Sequence, residues 1–129
     1  MSEQEKPTAA EQPRQVEWDL NELLGRLDGD GEFLRDLLVM FHKDARQNLE
    51  KSRQAMAERD FVLLARAAHT LKGMLRNLSM GAAAETAAAL EAASRENRMD
   101  HSAALLEKLE KELEEILPEV EAQLAEVRP

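Results

Sequence analysis

Residues 61–78, FVLLARAAHTLKGMLRNL, carry the most regular helical pattern of this 129-residue chain. Apolar side chains recur there at intervals of three and four residues, which places them on one face of an α-helix. These apolar positions are Phe61, Leu64, Ala65, Ala68, Leu71, Leu75 and Leu78. Asp60 precedes the stretch as a candidate N-cap, and residues 79–81 form the break after it. The sequence therefore predicts an amphipathic helix with one buried face.

The same spacing predicts four further helices around this stretch. They cover residues 18–27, 30–56 and 82–96, and a last segment that begins at about residue 100. Asp19 or a neighbouring residue is the expected cap of the first helix, and Asp100 is the expected cap of the last. Short connections between long amphipathic helices favour antiparallel neighbours. We therefore predict an all-α fold, an antiparallel up-down-up-down four-helix bundle with a short extra N-terminal helix across one end.

The beginning of the chain differs from the rest in composition. Residues 1–15 contain two prolines and no large apolar residue beyond Met1. Such a segment cannot bury enough apolar surface to offset the entropy of ordering. We expect residues 1–15 to be a disordered leader or linker and residues 16–129 to form one bundle domain.

Composition argues against several classes of protein. The chain has 26 acidic and 17 basic residues, a net charge of -9, which argues against binding nucleic acid or an anionic membrane surface. It has no cysteine, which excludes disulfides, thiolate metal sites and a cysteine nucleophile, and which is compatible with a reducing cytosol. No apolar run is long enough to span a bilayer.

Motifs for metals and cofactors are also missing from the sequence. The histidines are His42, His69 and His101, and none occurs in the Glu-x-x-His or His-x-x-x-His spacing of metal-binding helices. No glycine-rich loop is present to hold a phosphate, and no nucleophile elbow suggests a Ser/His/Asp set. We expect neither a metal site nor a cofactor of the protein's own.

One flank of the helix over residues 61–78 stands out. His69 falls roughly 120 to 140° from the centre of the apolar face, and Lys72, Gly73 and Arg76 follow on the same flank. A glycine in the middle of a helix costs about 1 kcal/mol relative to alanine. Its position four residues after an outward histidine suggests that it opens the imidazole to a bulky partner.

Positive charge is concentrated around this histidine. Residues 59–76 contain four cationic side chains and one carboxylate, although the whole chain is acidic. An ordinary solvated histidine among surface cations is one interpretation of this pattern. A phosphoryl acceptor is another, because neutral imidazole is nucleophilic at pH 7 and a cation one turn away stabilises incoming negative charge.

The segment His69-Thr70-Leu71-Lys72-Gly73, with Asn77-Leu78 after it, resembles the motif of histidine-containing phosphotransfer (HPt) domains. The upstream run GDGEFL at residues 29–34 and the end of the long helix at residues 57–60 are also similar to that family. The resemblance extends over residues 17–127. In a chain of long helices this motif is a specific one.

The resemblance implies a four-helix bundle in which His69 is phosphorylated on a ring nitrogen. His69 would then exchange the group with aspartates of receiver domains or accept it from a histidine kinase. Lys72 would stabilise charge and Gly73 would give access. Such a protein is a phosphorelay intermediate without an ATP site and not an enzyme. We expect it to be cytoplasmic and monomeric. We also expect the receiver to supply Mg²⁺, since no carboxylate cluster lies near His69 in the sequence.

Two positions depart from the family pattern. Arg76 and Ser79 stand where the family usually has small residues, often glycine. Arg76 could add a second cation for the phosphoryl group, or it could obstruct or re-select the receiver, and we favour altered specificity. The alternative function for the whole chain is a helical adaptor that binds a partner protein and is never phosphorylated.

Overall fold

The computed structural model describes Trp18 and residues 20–126, and within this part of the chain all regular secondary structure is helical. The helices are α1 (Leu20–Arg26), α2 (Gly31–Glu58), α3 (Phe61–Asn77), α4 (Gly81–Arg95) and α5 (Met99–Glu126). None of these helices is both long enough and apolar enough to cross a membrane. The predicted leader and the predicted cap Asp19 lie outside the described residues.

Helices α2 to α5 form a ring of neighbours. The packed pairs are α2 with α3, α3 with α4, α4 with α5, and α5 with α2. Consecutive helices joined by short turns run antiparallel, so the arrangement is the predicted up-down-up-down bundle. The all-α prediction is confirmed.

The short helix α1 is attached to the end of the bundle at the turn between α3 and α4. Leu23 is fully buried in the common core. The indole N–H of Trp18 donates to the Leu78 carbonyl at 3.0 Å, and Arg26 donates to the Ser79 hydroxyl. The extra N-terminal helix is therefore confirmed, although it begins at Leu20 and leaves Trp18 ahead of it.

The buried faces follow the apolar spacing of the sequence. In α3 the buried residues include Leu64, Ala68, Leu71 and Leu75, as predicted. In α2 the first apolar position is not covered by a neighbour, since Phe33 in the first turn is 47% exposed. Apolar spacing predicts which face of a helix is inward but not how far along the helix a neighbour covers it.

None of the turns between the described helices contains proline, and in three of them the left-handed conformation is adopted only by a residue other than glycine. Arg59, Ser79 and Asn97 have φ of 56, 61 and 58°, a left-handed conformation that L-residues other than glycine rarely adopt. After each, the next amide bonds back to a carbonyl in the last turn of the helix, as in Met80 N to Leu75 O at 2.9 Å. These hydrogen bonds stabilise the reversals.

The predicted cap of α3 is confirmed, and the predicted cap of α5 is wrong. Asp30 and Asp60 accept hydrogen bonds from backbone amides in the first turns of α2 and α3, both at 3.0 Å. Helix α5 begins at Met99, so Asp100 lies inside its first turn. A carboxylate there still interacts favourably with the positive end of the helix dipole.

Most of the buried side chains of helix α4 are small, and this lets α4 approach α3 closely. Ala83, Ala84 and Ala87 are buried on its inner face, and α3 contributes the buried Ala68 to the same core. Small side chains shorten the distance between packed helices. The pair α3 and α4 makes the most extensive contact in the bundle.

One acidic side chain is buried between helices without full compensation. Glu112 in α5 is 4% exposed, and its Oε1 has no hydrogen-bond partner among the described residues. Burial raises the pKa of Glu112 above its usual value, although a hydrogen bond with Thr86 and the charge of Lys108 act in the opposite direction. The folded state therefore favours the protonated carboxyl.

Glu112→Met is expected to stabilise the protein at pH 7 by about 1 kcal/mol or more, because an apolar side chain has no buried charge to compensate. Because folding raises this pKa, the stability that Glu112 contributes when protonated is lost as pH rises above the unfolded value of 4.5. The gain should thus shrink toward pH 4. Urea denaturation at both pH values measures it, with the exposed Glu114→Met as control. Equal effects of the two substitutions would show that burial of the Glu112 carboxyl does not destabilise the fold.

Candidate functional site

His69 stands on the outer side of α3, near the middle of the helix. Its side chain is 63% exposed, while Ala68 before it and Leu71 after it are buried. The predicted outward position is therefore observed. Gly73 and Arg76 are exposed one and two turns further along the same helix.

Lys72, the remaining residue predicted for this site, is less exposed than the other three. Its side chain is only 19% exposed and reaches across to α4, where Nζ donates to Oε1 of Glu91 at 2.8 Å. The positive charge predicted beside His69 is thus already paired. The sequence count over residues 59–76 did not include this carboxylate, because it belongs to another helix.

Glu91 connects the two helices and was not predicted. Its side chain is 9% exposed, and its Oε2 lies 3.1 Å from Nδ1 of His69. The same oxygen accepts from Nη2 of Arg95 at 2.6 Å and from Nε of Arg95 at 3.2 Å. One buried carboxylate therefore contacts the histidine, the lysine and an arginine.

The ionisation of Glu91 follows from these contacts. Burial by itself would raise the pKa of this carboxyl, but hydrogen bonds from Lys72 and Arg95, the charge of Lys72 and the bond to His69 lower the pKa to about 2. Glu91 is then an anion at neutral pH and can only accept hydrogen bonds.

The state of the imidazole follows in turn. An anionic carboxylate at 3.1 Å from Nδ1 requires that nitrogen to carry the hydrogen. In the neutral ring the lone pair is then on Nε2. Such an arrangement provides an exposed nucleophilic nitrogen on one side of the ring and a carboxylate on the other, which stabilises positive charge when Nε2 forms a new bond.

Gly73 has no structural reason to be glycine. A Cβ built at this position would meet nothing within 4 Å, and its φ is not in the left-handed range. The fold would accept alanine and would gain helix propensity from it. The missing side chain leaves the surface next to His69 open.

Arg76 extends the positive surface beyond Lys72. It is exposed, and among the described residues no ion pair holds its guanidinium. Its charge therefore remains available on the flank of α3 that carries His69.

The other two histidines lack this environment. His42 in α2 has its Nε2 at 2.8 Å from Oε2 of Glu121 in α5, and His101 is exposed at the start of α5. Within the described part of the chain, no group of three or more His, Cys, Asp or Glu side chains could hold a metal ion. His69 is the histidine with a buried carboxylate on Nδ1 and an open surface beside it.

A sequence signal for Glu91 exists in retrospect. Ala84, Ala87, Glu91 and Ser94 are spaced by three and four residues and are all buried on one face of α4. A glutamate within the inward face of a helix needs a partner, since charged side chains are almost never fully buried alone. The spacing marks Glu91 as paired but does not identify His69 as its partner.

Comparison with known protein families gives a match to one family model. The sequence model of the Hpt domain matches residues 36–123, which include all of α3 and α4. No curated protein and no solved structure matches the chain. Hpt domains are helical phosphotransfer modules of two-component signalling, not classical enzymes, and they interact with receiver domains and histidine kinases. A match over more than half of the chain, together with the helical bundle, shows that this protein belongs to the Hpt domain family.

Proposed function

We propose that this protein carries a phosphoryl group on Nε2 of His69 as an intermediate of a two-component phosphorelay. The observation that carries the proposal is the contact between exposed His69 and buried, anionic Glu91. This contact directs the imidazole lone pair to Nε2. A histidine with only a structural role would not need both the buried carboxylate and the open surface at Gly73.

The transfer step needs no proton acceptor. The Nε2 lone pair attacks the phosphorus of an acyl phosphate on a receiver aspartate, the phosphorus–oxygen bond breaks, and the aspartate leaves as a carboxylate. The ring becomes a phosphorylated imidazolium that keeps its Nδ1 hydrogen. Glu91 stabilises that positive charge, and the reverse reaction returns the group to an aspartate.

The remaining side chains of the flank have supporting roles in this proposal. Lys72 lies one turn from His69. One of its three N–H donors bonds to Glu91, and the others would stabilise the phosphoryl oxygens. Gly73 would let the partner's loops approach the imidazole. Mg²⁺ would belong to the receiver, because the carboxylate in contact with His69, Glu91, is already bonded to its three donors.

A protein-binding role without phosphate is the second candidate, and an apolar groove between α2 and α3 favours it. The groove is lined by Leu37, Met40, Phe41, Asp44, Met74, Asn77 and Leu78. Met40 is 59% exposed at its edge, and exposed apolar side chains of this size often mark protein contacts. An adaptor would use this groove, but it would leave the pairing of Glu91 with His69 without a function.

Incubation with phosphoramidate, and with a panel of phosphorylated receiver domains, is expected to give an acid-labile, alkali-stable phosphate on His69. His69→Gln should abolish the label, because no other imidazole nitrogen in the described part of the chain has this environment. Peptide mapping locates the phosphate, and His101→Gln, which alters another exposed histidine, is the control. An unlabelled wild type with every donor would favour the adaptor.

Glu91→Ala is expected to release the Nδ1 hydrogen bond and to lower the rate of His69 phosphorylation at least about tenfold. Nitrogen NMR shifts of the imidazole should then show both tautomers. Glu91→Gln keeps an acceptor for Nδ1 and should restore the single tautomer with only part of the rate, because the negative charge is missing. An unchanged tautomer in Glu91→Ala, in a variant shown to be folded, would contradict the positioning role.

Arg76→Gly is expected to change the rate of phosphotransfer or the preference among receivers several-fold, because it removes a cation and bulk next to the docking surface. A helix glycine costs about 1 kcal/mol, so Arg46→Gly in α2 serves as the stability-matched control. The same receiver profile for Arg76→Gly and wild type would show that Arg76 does not select the partner.

A further inference from the structure

A second groove lies between α3 and α4, on the side of the site where α3 begins and α4 ends. It is lined by Phe61, Val62, Ala65, Arg66, Ser94, Arg95 and Asn97, and its volume is about 490 Å³. Arg66 lies one turn before His69 on α3, and its carbonyl accepts from the Thr70 hydroxyl at 3.1 Å. The groove therefore adjoins the histidine without including it.

The charge of this groove is opposite to that of the protein. Its charged lining residues are two arginines, Arg66 and Arg95, in a chain of net charge -9. The carboxylates next to it along the chain are engaged elsewhere. Asp60 accepts the amide of Leu63 at 3.0 Å, and Glu96 lies 3.6 Å from Arg98. The lining itself contains no acidic residue. Glu91, which lies behind it, pairs with Arg95, so Arg66 carries the uncompensated positive charge of the groove.

Both arginines can receive an anion. Among the described residues no ion pair involves Arg66, which is exposed. Arg95 gives Nε and Nη2 to Glu91, which leaves donors on its other terminal nitrogen, because guanidinium has five N–H groups. A carboxylate can therefore bind Arg95 while Glu91 stays in place.

The groove also has an apolar edge, which a simple anion would not use. Val62 is 67% exposed, the most exposed large apolar side chain of the described residues, and Phe61 beside it is half-buried. An occupant that matches this lining combines carboxylates with at least one apolar side chain.

We propose that the groove between α3 and α4 binds an acidic segment of a partner protein. Its carboxylates bind Arg66 and Arg95, and an apolar side chain packs on Val62. The proposal stands on the lining of this groove and does not depend on phosphoryl transfer. It adds a docking surface on the opposite side of α3 from the apolar groove between α2 and α3.

The test is an NMR titration of the nitrogen-15-labelled full chain with a short synthetic peptide of glutamate, aspartate and leucine. We expect saturable shifts of the amides at residues 61–66 and 94–97, and a several-fold weaker affinity when the salt is raised to about 0.3 M. Arg66→Glu should weaken binding at least about tenfold. Arg46→Glu, which makes the same charge change in the groove between α2 and α5, should leave it within about twofold.

Three results would overturn the proposal. One is the absence of saturable shifts in this groove with a folded protein. Another is equal binding of a charge-reversed peptide of lysine, arginine and leucine. The third is inorganic phosphate that produces the same shifts with the same affinity, which would mean a simple anion site. Since no phosphorylation is measured, failure here is distinguishable from failure of His69 to accept phosphate.

Discussion

The close packing of α3 against the alanine-rich α4 is the constraint on which the site depends. Ala83, Ala84 and Ala87 let α4 approach, and this brings a glutamate of α4 into hydrogen-bond distance of a histidine 22 positions earlier. A larger residue on that face would move the helices apart, and the hydrogen bond between His69 and Glu91 would then be too long to form. The helix that looks least informative in the sequence thus sets the geometry of the histidine.

Glu91 gives this packing a chemical consequence. The carboxylate lies below the surface, where an unpaired charge would be strongly destabilising, and the bonds from Lys72, Arg95 and His69 compensate its burial. Each of these donors is thereby held in one place. The imidazole orientation, the lysine position and one wall of the groove at Arg95 are consequences of a single buried anion, so a change at Glu91 would affect all three.

The sequence was sufficient to predict the helices and the residues of α3 that face outward. Apolar spacing located the buried residues, and the helical wheel placed His69, Gly73 and Arg76 outside, because both depend only on the geometry of one helix. Asp100 was assigned as a cap because capping residues are also common in first turns. The positive φ at Arg59, Ser79 and Asn97 was not predicted, since these residue types do not require it.

The part of the site that escaped prediction is the part shared between helices. Contact between His69 and Glu91 depends on the register of α3 against α4, which periodicity within one helix does not define. The number of free cations near His69 was overestimated for the same reason, because Lys72 is paired across that interface. The spacing that places Glu91 on the small-residue face of α4 was the available signal. It indicates a paired carboxylate but does not identify the partner.

His69 occupies the middle of a 17-residue helix rather than a loop, and this determines where motion must occur. A helix interior has its backbone hydrogen bonds complete and its side-chain directions fixed by packing. Within residues 20–126 no segment has to move to expose the imidazole, which is 63% exposed, so this surface forms when the helix folds. We therefore expect this face of α3 to meet a partner as a preformed surface.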